Sequence, residues 1–416
     1  VGLNGTNYTG SVSSNSVTIT ISATNLQALS EGTNTITANV SDAAGNAASQ
    51  SSTTFTYDKT SPSITSITPS WGSHLNATED NSVGAVTVVT SGIEDGQTVT
   101  VGLNGTNYTG SVSSNSVTVT ISATDLQALS EGTNTITADV SDVAGNAASQ
   151  SSTTFVYDKT SPSISSITLS WGTVLNATED NNNGTVTVAT SGVEDGQTVT
   201  LGLNSRTYTG SVSSNSVSIT ISAARLQELV DGTTYTLTAD VSDVAGNAAT
   251  QSSTTFTYDK SAPSISSITP SWGSHLNATE DNSSGTITVA TSGVEDGQTV
   301  TVGLNGTNYT GSISSNSVEI TISATDLQAL SEGTNTITAN VSDAAGNAAS
   351  QSSTTFTYDK TSPSITSITP SWGSHLNATE DNSSGTVTVV TSGIEDGQTV
   401  TCLLYTSPSP RDLDLS

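Results

Sequence analysis

The chain has no methionine, one cysteine and few aromatic residues, which make up 4% of its 416 residues. Basic residues are also scarce: 7 Lys and Arg stand against 36 Asp and Glu, so the formal net charge is −29. A single cysteine excludes an internal disulfide framework. The excess of acids argues against binding to nucleic acid or to an anionic membrane face, because both attract basic side chains. No apolar run approaches the roughly 18 residues of a transmembrane helix, so we expect no membrane insertion of this segment.

The dominant feature is an internal repeat. The string VGLNGTNYTG begins at Val1, Val101 and Val302, and the related LGLNSRTYTG begins at Leu201. The tryptophans recur at the same spacing, at Trp71, Trp171, Trp272 and Trp372. The period of this repeat is far longer than the roughly 20–50 residues of a solenoid repeat and suits a whole domain.

Cutting the sequence at its DKTSP and DKSAP segments predicts five repeats. Residues 1–59 form the back part of one repeat, residues 60–159, 160–260 and 261–360 form complete repeats, and residues 361–401 form the front part of a fifth. We therefore expect the chain to be a fragment of a longer array. Residues 402–416 break the pattern, and CLLYTSPSPRD resembles a translated sequencing adapter. We expect them to be a non-native tail and exclude them, with the only cysteine, from functional reasoning.

Each repeat has the pattern of a strand-rich domain. In repeat 60–159, apolar residues alternate with Thr, Gly or Asp in segments rich in β-branched residues, which is typical of half-buried strands. Asn104-Gly105 predicts a hairpin turn, and TDLQALSEG predicts a short helix with Thr124 as its N-cap. About seven strands with frequent turns indicate an all-β fold, in which tandem immunoglobulin-like β-sandwich domains form an elongated array.

The acids concentrate in the loops between these strands. Threading the sandwich places Glu94 and Asp95, between the second and third strands, at the end where the chain enters from the preceding repeat. Asp142, between the sixth and seventh strands, falls at the same end, and the linker YDKTSP brings Asp58 there. Like charges so close require a counter-ion, and Ca²⁺ prefers oxygen ligands. Backbone carbonyls and the amide oxygen of Asn146 would complete its shell.

The sequence therefore predicts calcium sites at the junctions between repeats. The candidate ligands are Asp42, Asp58, Glu94, Asp95, Asp142, Asp158, Glu194, Asp195, Asp243, Asp259, Glu295, Asp296, Asp343, Asp359, Glu395 and Asp396. An alternative interpretation needs no metal: Asp142 caps its own turn, Gly145 and Asn146 shape that turn, and the EDG segment is an exposed turn.

A second set of acids lies in the segment LNATEDN, between the first and second strands, at the opposite end of the predicted sandwich. Glu131, after the short helix, should lie nearby. The set forms either a further calcium site or a group of solvated acids in a long loop. Its members are Glu79, Asp80, Glu179, Asp180, Glu280 and Asp281.

The motifs SxxWGxxLNATEDN, SGxEDGQTVT, LNGTxYTG, VSDAAGNAA and YDK together resemble the bacterial immunoglobulin-like repeats of giant RTX-type adhesins. They are particularly similar to the calcium-bound extender repeats of an ice-binding adhesin, and the resemblance covers residues 1–401. It implies domains exported by type I secretion and chained end to end at the bacterial cell surface, with Ca²⁺ in and between them. It also implies that Asp58, Glu94, Asp95 and Asp142, with their equivalents, bind calcium.

The sequence contains no sign of catalysis. It has no nucleophile elbow, phosphate loop or HExxH motif, and Val174 stands where three other copies have histidine.

We expect a structural extender segment of a cell-surface adhesin, made rigid by Ca²⁺ and projecting distal binding domains whose ligand is unknown. The alternative is that the repeats themselves bind a glycan or a host or cell surface, for which a recurring exposed aromatic or polar patch would be needed. We expect the tryptophans to pack against the sandwich rather than to stack on sugars.

Overall fold

The computed structural model describes residues 1–401, so the predicted non-native tail, 402–416, lies outside the described residues. The chain forms two compact units. The first comprises Val1–Gly172, Asn183–Ser222 and Tyr235–Phe256, and the second comprises Thr173–Asn182, Ala223–Thr234 and the chain from Thr257 onward. Their boundary crosses repeat 160–260, and the repeat boundaries drawn from the sequence stay a prediction.

Strands are the main secondary structure of both units. Residues 1–59 contain β1 (Gly2–Leu3), β2 (Thr6–Asn7), helix α1 (Ala23–Gln27), β3 (Gly32–Ala38) and β4 (Ser51–Tyr57). Repeat 60–159 contains β5 (Ser63–Pro69), β6 (His74–Leu75), a 3-10 helix (Glu79–Asn81), β7 (Gly84–Ser91), β8 (Thr98–Leu103), β9 (Thr106–Ser111), β10 (Ser116–Ile121), α2 (Ala123–Gln127), β11 (Gly132–Val140) and β12 (Ser151–Tyr157).

The same succession recurs further along the chain. Repeat 160–260 contains β13 (Ser163–Leu169), β14 (Val174–Leu175), β15 (Gly184–Ser191), β16 (Thr198–Leu203), β17 (Arg206–Ser211), β18 (Ser216–Ile221), α3 (Ala223–Leu226), β19 (Thr233–Asp240) and β20 (Ser252–Tyr258). Repeat 261–360 contains β21 (Ser264–Pro270), β22 (His275–Asn277), a 3-10 helix (Glu280–Asn282), β23 (Gly285–Ser292), β24 (Thr299–Leu304), β25 (Thr307–Ser312), β26 (Ser317–Ile322), α4 (Ala324–Gln328), β27 (Gly333–Asn340) and β28 (Ser352–Asp359). β29 (Ser364–Pro370) and β30 (Val387–Ser392) follow. Among residues 1–401, no helix has the length and apolar character needed to cross a membrane.

Two sheets form the sandwich of repeat 60–159. One has the order β10-β7-β5 and the other the order β6-β12-β11-β8-β9. All pairs are antiparallel except β6 with β12, which run parallel with His74 opposite Val156. Repeat 261–360 has the same arrangement, with sheets β21-β23-β26 and β22-β28-β27-β24-β25. The prediction of tandem immunoglobulin-like β-sandwiches is confirmed.

Alternation along the strands creates the core. In β7, Val86 and Val88 are fully buried, whereas Thr87 is half-buried and Val89 is exposed, as period-two patterning requires. Trp71 packs edge-on against Phe155, with ring centroids 5.2 Å apart, and contributes to the same core. The tryptophan is therefore a packing residue, as predicted.

Three local details refine the sequence prediction. Asn104 and Gly105 have φ values of +49° and +77°, which confirms the predicted hairpin turn. The short helix is present, but Ser122 caps it by accepting the Asp125 N–H, so the choice of Thr124 was wrong. Strand β6 is an eighth strand that the sequence did not predict, because two residues are too few to show an alternating pattern.

In an incomplete repeat, apolar strand residues are more exposed because the second sheet of the sandwich is missing. Val17 in residues 1–59 is 40% exposed, whereas its equivalent Val117 in the complete repeat is 6% exposed. Both have the same sequence neighbours. Burial of this strand position therefore requires both sheets, because neither sheet covers its own apolar face.

Candidate functional site

Three loops and the linker meet where one repeat follows another. We call them the EDG turn (residues 94–96, 194–196 and 295–297), the AGN loop (142–146, 243–247 and 343–347), the NAT loop (76–80, 176–180 and 277–281) and the linker (58–60, 158–160 and 259–261). The EDG turn and AGN loop belong to one repeat, while the linker and NAT loop belong to the repeat before it. Every contact below joins residues of a single compact unit.

The AGN loop is closed by its own aspartate. Asp343 Oδ1 accepts the Asn347 backbone N–H at 2.8 Å, and Asp343 Oδ2 accepts the Asn347 side-chain amide at 3.0 Å. The equivalent bond from the Asn146 side chain holds the pKa of Asp142 below its usual value. The alternative interpretation, that this aspartate caps its own turn, therefore describes a contact that is present.

The linker of the preceding repeat lies against this loop. The Asn347 side-chain amide donates to the Asp259 carbonyl at 2.9 Å, and Asn247 donates to the Asp158 carbonyl at the same distance. Asn146 makes the equivalent, longer bond to Asp58 at 3.2 Å. Three successive junctions thus bring the linker and the AGN loop together, as the sequence predicted.

The two adjacent acids of the EDG turn point in different directions. Glu295 Oε2 accepts the Ala344 N–H of the AGN loop at 2.8 Å, so this glutamate faces the junction. Asp296 Oδ1 accepts the Ser315 N–H in a hairpin of its own repeat, at 2.7 Å. Glu94 and Glu194 behave like Glu295, and Asp95 and Asp195 like Asp296.

Carboxylates do crowd at the junction that contains Asp259. Burial raises the pKa of Asp259, and the charges of Asp343, Asp231 and Glu295 raise it further. The AGN loop, the EDG turn and the linker therefore deliver interacting acids to one place. Glu395 and Asp396 follow Asp359 in the incomplete repeat 361–401, which has no AGN loop before residue 402.

Asp231 is a junction residue that the sequence reasoning missed. It accepts the Lys260 N–H of the linker at 2.7 Å, and Glu131 accepts the equivalent Lys159 N–H at 3.1 Å. As expected, Glu131 lies near Asp80: its charge acts on Tyr157, whose hydroxyl bonds Asp80. Its own hydrogen bonds go to the linker. An acid at this position in every copy, namely Glu31, Glu131, Asp231 and Glu332, was the signal available in the sequence.

Replacing Asp259 by asparagine should stabilise the second unit when calcium is absent. Because the folded state raises the pKa of Asp259, the folded protein binds this proton more tightly than the unfolded chain, and stability rises as the pH falls through that pKa. Asparagine carries no charge, so it removes the free-energy penalty of burying an ionised carboxylate beside other acids at neutral pH. Thermal melts in chelator from pH 7 to pH 4 should show a higher midpoint at neutral pH and a weaker rise on acidification.

The matched control is Asp231→Asn, for which we expect the opposite sign. The Ser261 hydroxyl and the Lys260 N–H lower the pKa of Asp231, so its stabilisation is present at neutral pH and disappears as the pH falls through the lowered value. Asp231→Asn should lower the neutral midpoint. A shift of both variants in the same direction would contradict this account of the junction charges.

The second set of acids, for which two alternatives were open, divides between the core and the NAT loop. Asp80 is buried, and its Oδ2 accepts the Tyr157 hydroxyl at 2.6 Å. Asp180 and Asp281 make the same bond to Tyr258 and Tyr358. Of the two alternatives, solvated acids therefore do not describe these aspartates, and the calcium alternative stays a prediction. The neighbouring Glu79, Glu179 and Glu280 close the NAT loop by accepting the N–H of its first asparagine.

The donors at the junction suit Ca²⁺ in type, because carboxylates and backbone carbonyls are its preferred ligands. Among residues 1–401, however, no group of three or more His, Cys, Asp or Glu side chains is arranged to hold a metal ion. The amide oxygen of Asn146 was expected to complete the shell, and in its equivalents Asn247 and Asn347 this oxygen accepts an N–H group of the NAT loop. The assignment of individual calcium ligands stays a prediction.

Comparison with known proteins agrees with this fold. Residues 20–124 and 319–381 match the family model of the bacterial Ig-like domain (group 3), which confirms the resemblance for those residues. No curated protein sequence matches the chain significantly.

Several solved structures are similar to this chain. One, of a Ca²⁺-stabilised adhesin that helps an Antarctic bacterium reach out and bind ice, is 26% identical, with 86% of this chain and 89% of that chain covered and a TM-score of 0.38. A second concerns host cell surface retention of a 1.5-MDa bacterial ice-binding adhesin, at 25% identity, 72% and 98% coverage and a TM-score of 0.40. A bacterial immunoglobulin-like domain from the M. primoryensis ice-binding adhesin is 28% identical, with 23% and 99% coverage and a TM-score of 0.19.

Proposed function

We propose that this segment is a structural extender of a bacterial cell-surface adhesin. Ca²⁺ at the junctions would hold successive repeats in line, so that distal binding domains project from the cell. The supporting observation is that each AGN loop is hydrogen bonded to the linker of the preceding repeat, through Asn146, Asn247 and Asn347. A spacer requires such fixed neighbours, since a free linker would let them reorient.

The charge at the junction is the reason for including calcium. The acids that raise the pKa of Asp259 repel one another in the absence of a cation, and a divalent ion supplies the compensating charge. Asp259, Asp343 and Glu295 would hold it, with equivalents at the other junctions. Sites of extracellular modules bind Ca²⁺ with affinities of about 10⁻⁴–10⁻³ M, so such sites fill outside the cell.

The alternative function, binding of a glycan or cell surface by the repeats, receives less support. Stacking on sugars would need a recurring exposed aromatic ring, but Trp71, Trp171 and Trp272 are buried. Their rings pack against phenylalanines of the opposite sheet. These three recurring tryptophans are thus used for stability, which favours a structural role.

Calcium should raise the thermal stability of the full chain and fix its length. For a site of 10⁻⁴ M affinity, 10 mM Ca²⁺ is a hundredfold excess and contributes about 2.7 kcal/mol. For a domain of this size we expect the melting midpoint to rise by about 10 °C or more. Small-angle scattering should give a longer and better defined maximum dimension with Ca²⁺ than with chelator.

The variants test whether the junction acids are responsible. Asp259→Asn combined with Glu295→Gln should reduce the calcium-dependent rise, whereas Asp139→Asn should leave it intact. Asp139 is a suitable control because its carboxylate accepts from the Gln150 side chain of its own repeat, and other copies have Asn39 and Asn340 at this position. Identical melting curves and scattering lengths with Ca²⁺ and with chelator would refute the calcium mechanism.

A further inference from the structure

We infer that successive repeats dock through a neutral hydrogen-bonded contact between the NAT loop of one repeat and the AGN loop of the next, and that this contact needs no metal. The Asn76 side-chain amide donates to the Ala245 carbonyl at 2.9 Å, and the Ala77 N–H donates to Asn247 Oδ1 at 3.0 Å. The inference goes beyond the calcium mechanism and does not depend on it.

The contact recurs at the next junction with the same geometry. The Asn176 side-chain amide donates to the Ala345 carbonyl at 2.9 Å, and the Ala177 N–H donates to Asn347 Oδ1 at 2.9 Å. The first junction lies wholly in the first unit and the second wholly in the second unit. The docking is therefore a property of the repeat sequence and not of one location in the chain.

The asparagine of the AGN loop acts as the bridge. The Asn247 side-chain amide donates both to Asp243 in its own loop and to the Asp158 carbonyl of the linker, while its oxygen accepts the Ala77 N–H. All its donors and its acceptor oxygen are thus used, and the residue is only 5% exposed. Aspartate could not replace it, because a carboxylate has no N–H to donate and would add charge to an acidic junction.

Residues 42–46 form a fourth copy of the AGN loop, and the four copies provide an internal comparison. The loop has the same closure in each, since the asparagine N–H always lies 2.8 Å from the aspartate Oδ1. Asn46 is exposed and Asn146 is half-buried, whereas Asn247 and Asn347 are buried. Only the last two have a NAT loop in the repeat before them. Docking of the NAT loop therefore accounts for the burial of this side chain.

The NAT loop gives the reciprocal comparison. Asn76 and Asn176 direct their side-chain amides to the next AGN loop, but Asn277 has no following AGN loop before residue 402, and its amide donates to Glu280 at 2.8 Å within its own loop. The turn is otherwise the same, because each asparagine oxygen accepts the N–H groups two and three residues ahead. The amide of this asparagine thus has a different partner where an AGN loop follows in the next repeat.

Shape also favours the contact. A Cβ atom on Gly246 would lie 3.2 Å from the Asn76 amide nitrogen, and Gly246 has a φ of +94°. A side chain there would both strain the turn and crowd the docked loop. The NAT loop is held from behind by the buried bond between Asp80 and Tyr157. The NAT loop is thus held in place, and the glycine of the AGN loop leaves room for it.

Hydrogen exchange in the full chain, with chelator present, tests this inference. The Ala77 amide should exchange slowly in the wild type, and Asn247→Ala should accelerate it about fivefold, since a lost hydrogen bond is worth about 1 kcal/mol. Asn347→Ala should accelerate the Ala177 amide and leave that of Ala77 unchanged. Peptides that extend to Val83 distinguish the first NAT loop from the other copies.

Asn146→Ala is the matched control. It makes the same substitution in an AGN loop that no NAT loop contacts, so it should not accelerate exchange of the Ala77 or the Ala177 amide. Equal Ala77 exchange in the wild type and in Asn247→Ala would overturn the inference, and so would loss of wild-type protection on chelation. If protection survives chelation while Ca²⁺ fails to raise the melting midpoint, the docking stands and the calcium mechanism falls.

Discussion

Replacing Trp272 by alanine should destabilise repeat 261–360 by about 3–5 kcal/mol, as expected for loss of a large buried aromatic side chain. Trp272 is 8% exposed and lies 5.2 Å from Phe356 between ring centroids, in a T-shaped arrangement. Its indole N–H has no hydrogen-bond partner, so its stabilisation comes from apolar packing. Native-state hydrogen exchange of the buried strand β24 in increasing denaturant would measure the loss.

Trp372→Ala is the control for this prediction. Trp372 has the same local sequence and the same close contact with a glycine, Gly385, but it is only half-buried because its repeat lacks the second sheet. We expect its replacement to change the stability of repeat 361–401 by less than half as much. Equal effects at both positions would mean that the tryptophan stabilises its own loop and not the sandwich.

Tyr358→Phe should cost about 3 kcal/mol, because it leaves the buried Asp281 carboxylate without its hydroxyl donor. The Tyr358 hydroxyl lies 2.6 Å from Asp281 Oδ2, and Asp281 is 6% exposed. The double variant Tyr358→Phe with Asp281→Asn should lose less stability than the sum of the two single variants, because both single variants break the same hydrogen bond. Urea unfolding of the single and double variants measures the coupling free energy between Tyr358 and Asp281.

The same pair predicts a dependence on alkaline pH. The hydrogen bond to Asp281, together with burial, raises the pKa of Tyr358 from 10.0 to about 12. The unfolded chain therefore releases this proton first, and the stabilisation present below pH 10 should decline as the pH rises towards 12. Tyr358→Phe should remove that part of the decline.

Tyr57→Phe serves as the control for both measurements. Tyr57 is the equivalent residue of 1–59, and no NAT segment precedes it in the chain. We expect a change within about 0.5 kcal/mol and an unaltered alkaline profile. A loss as large as that at Tyr358 would show that the hydroxyl acts through some partner other than the aspartate.

The strands were predictable because their signal is local. Val86 and Val88, or Val99 and Val101, alternate with polar residues and need only a sheet face to be buried. The two-residue strand β6 is too short to show a period, and its parallel partner β12 lies about eighty residues further on. Ser122 rather than Thr124 caps the helix because the cap depends on where the helical backbone begins, which periodicity fixes only to within a residue or two.

The candidate site was predictable in location but not in detail. The acids were correctly assigned to loops, and threading of the strands brought the linker to the AGN loop. The sequence EDG does not reveal that Glu295 faces the junction while Asp296 bonds to Ser315. Nor does NATED reveal that Asp281 enters the core, because a carboxylate is buried only where a donor such as Tyr358 meets it.

The sequence by itself determined the repeat, the all-β class and the recurrence of acids in loops, because these follow from composition and from a period of two along each strand. Only the tertiary structure decided which groups meet between repeats. Ala77 and Asn247 are 170 residues apart, and their contact depends on the ends of two successive sandwiches facing each other. The few basic residues leave these acids without enough partners within the chain. The structure shows that backbone N–H groups, tyrosine hydroxyls and one asparagine amide satisfy many of them.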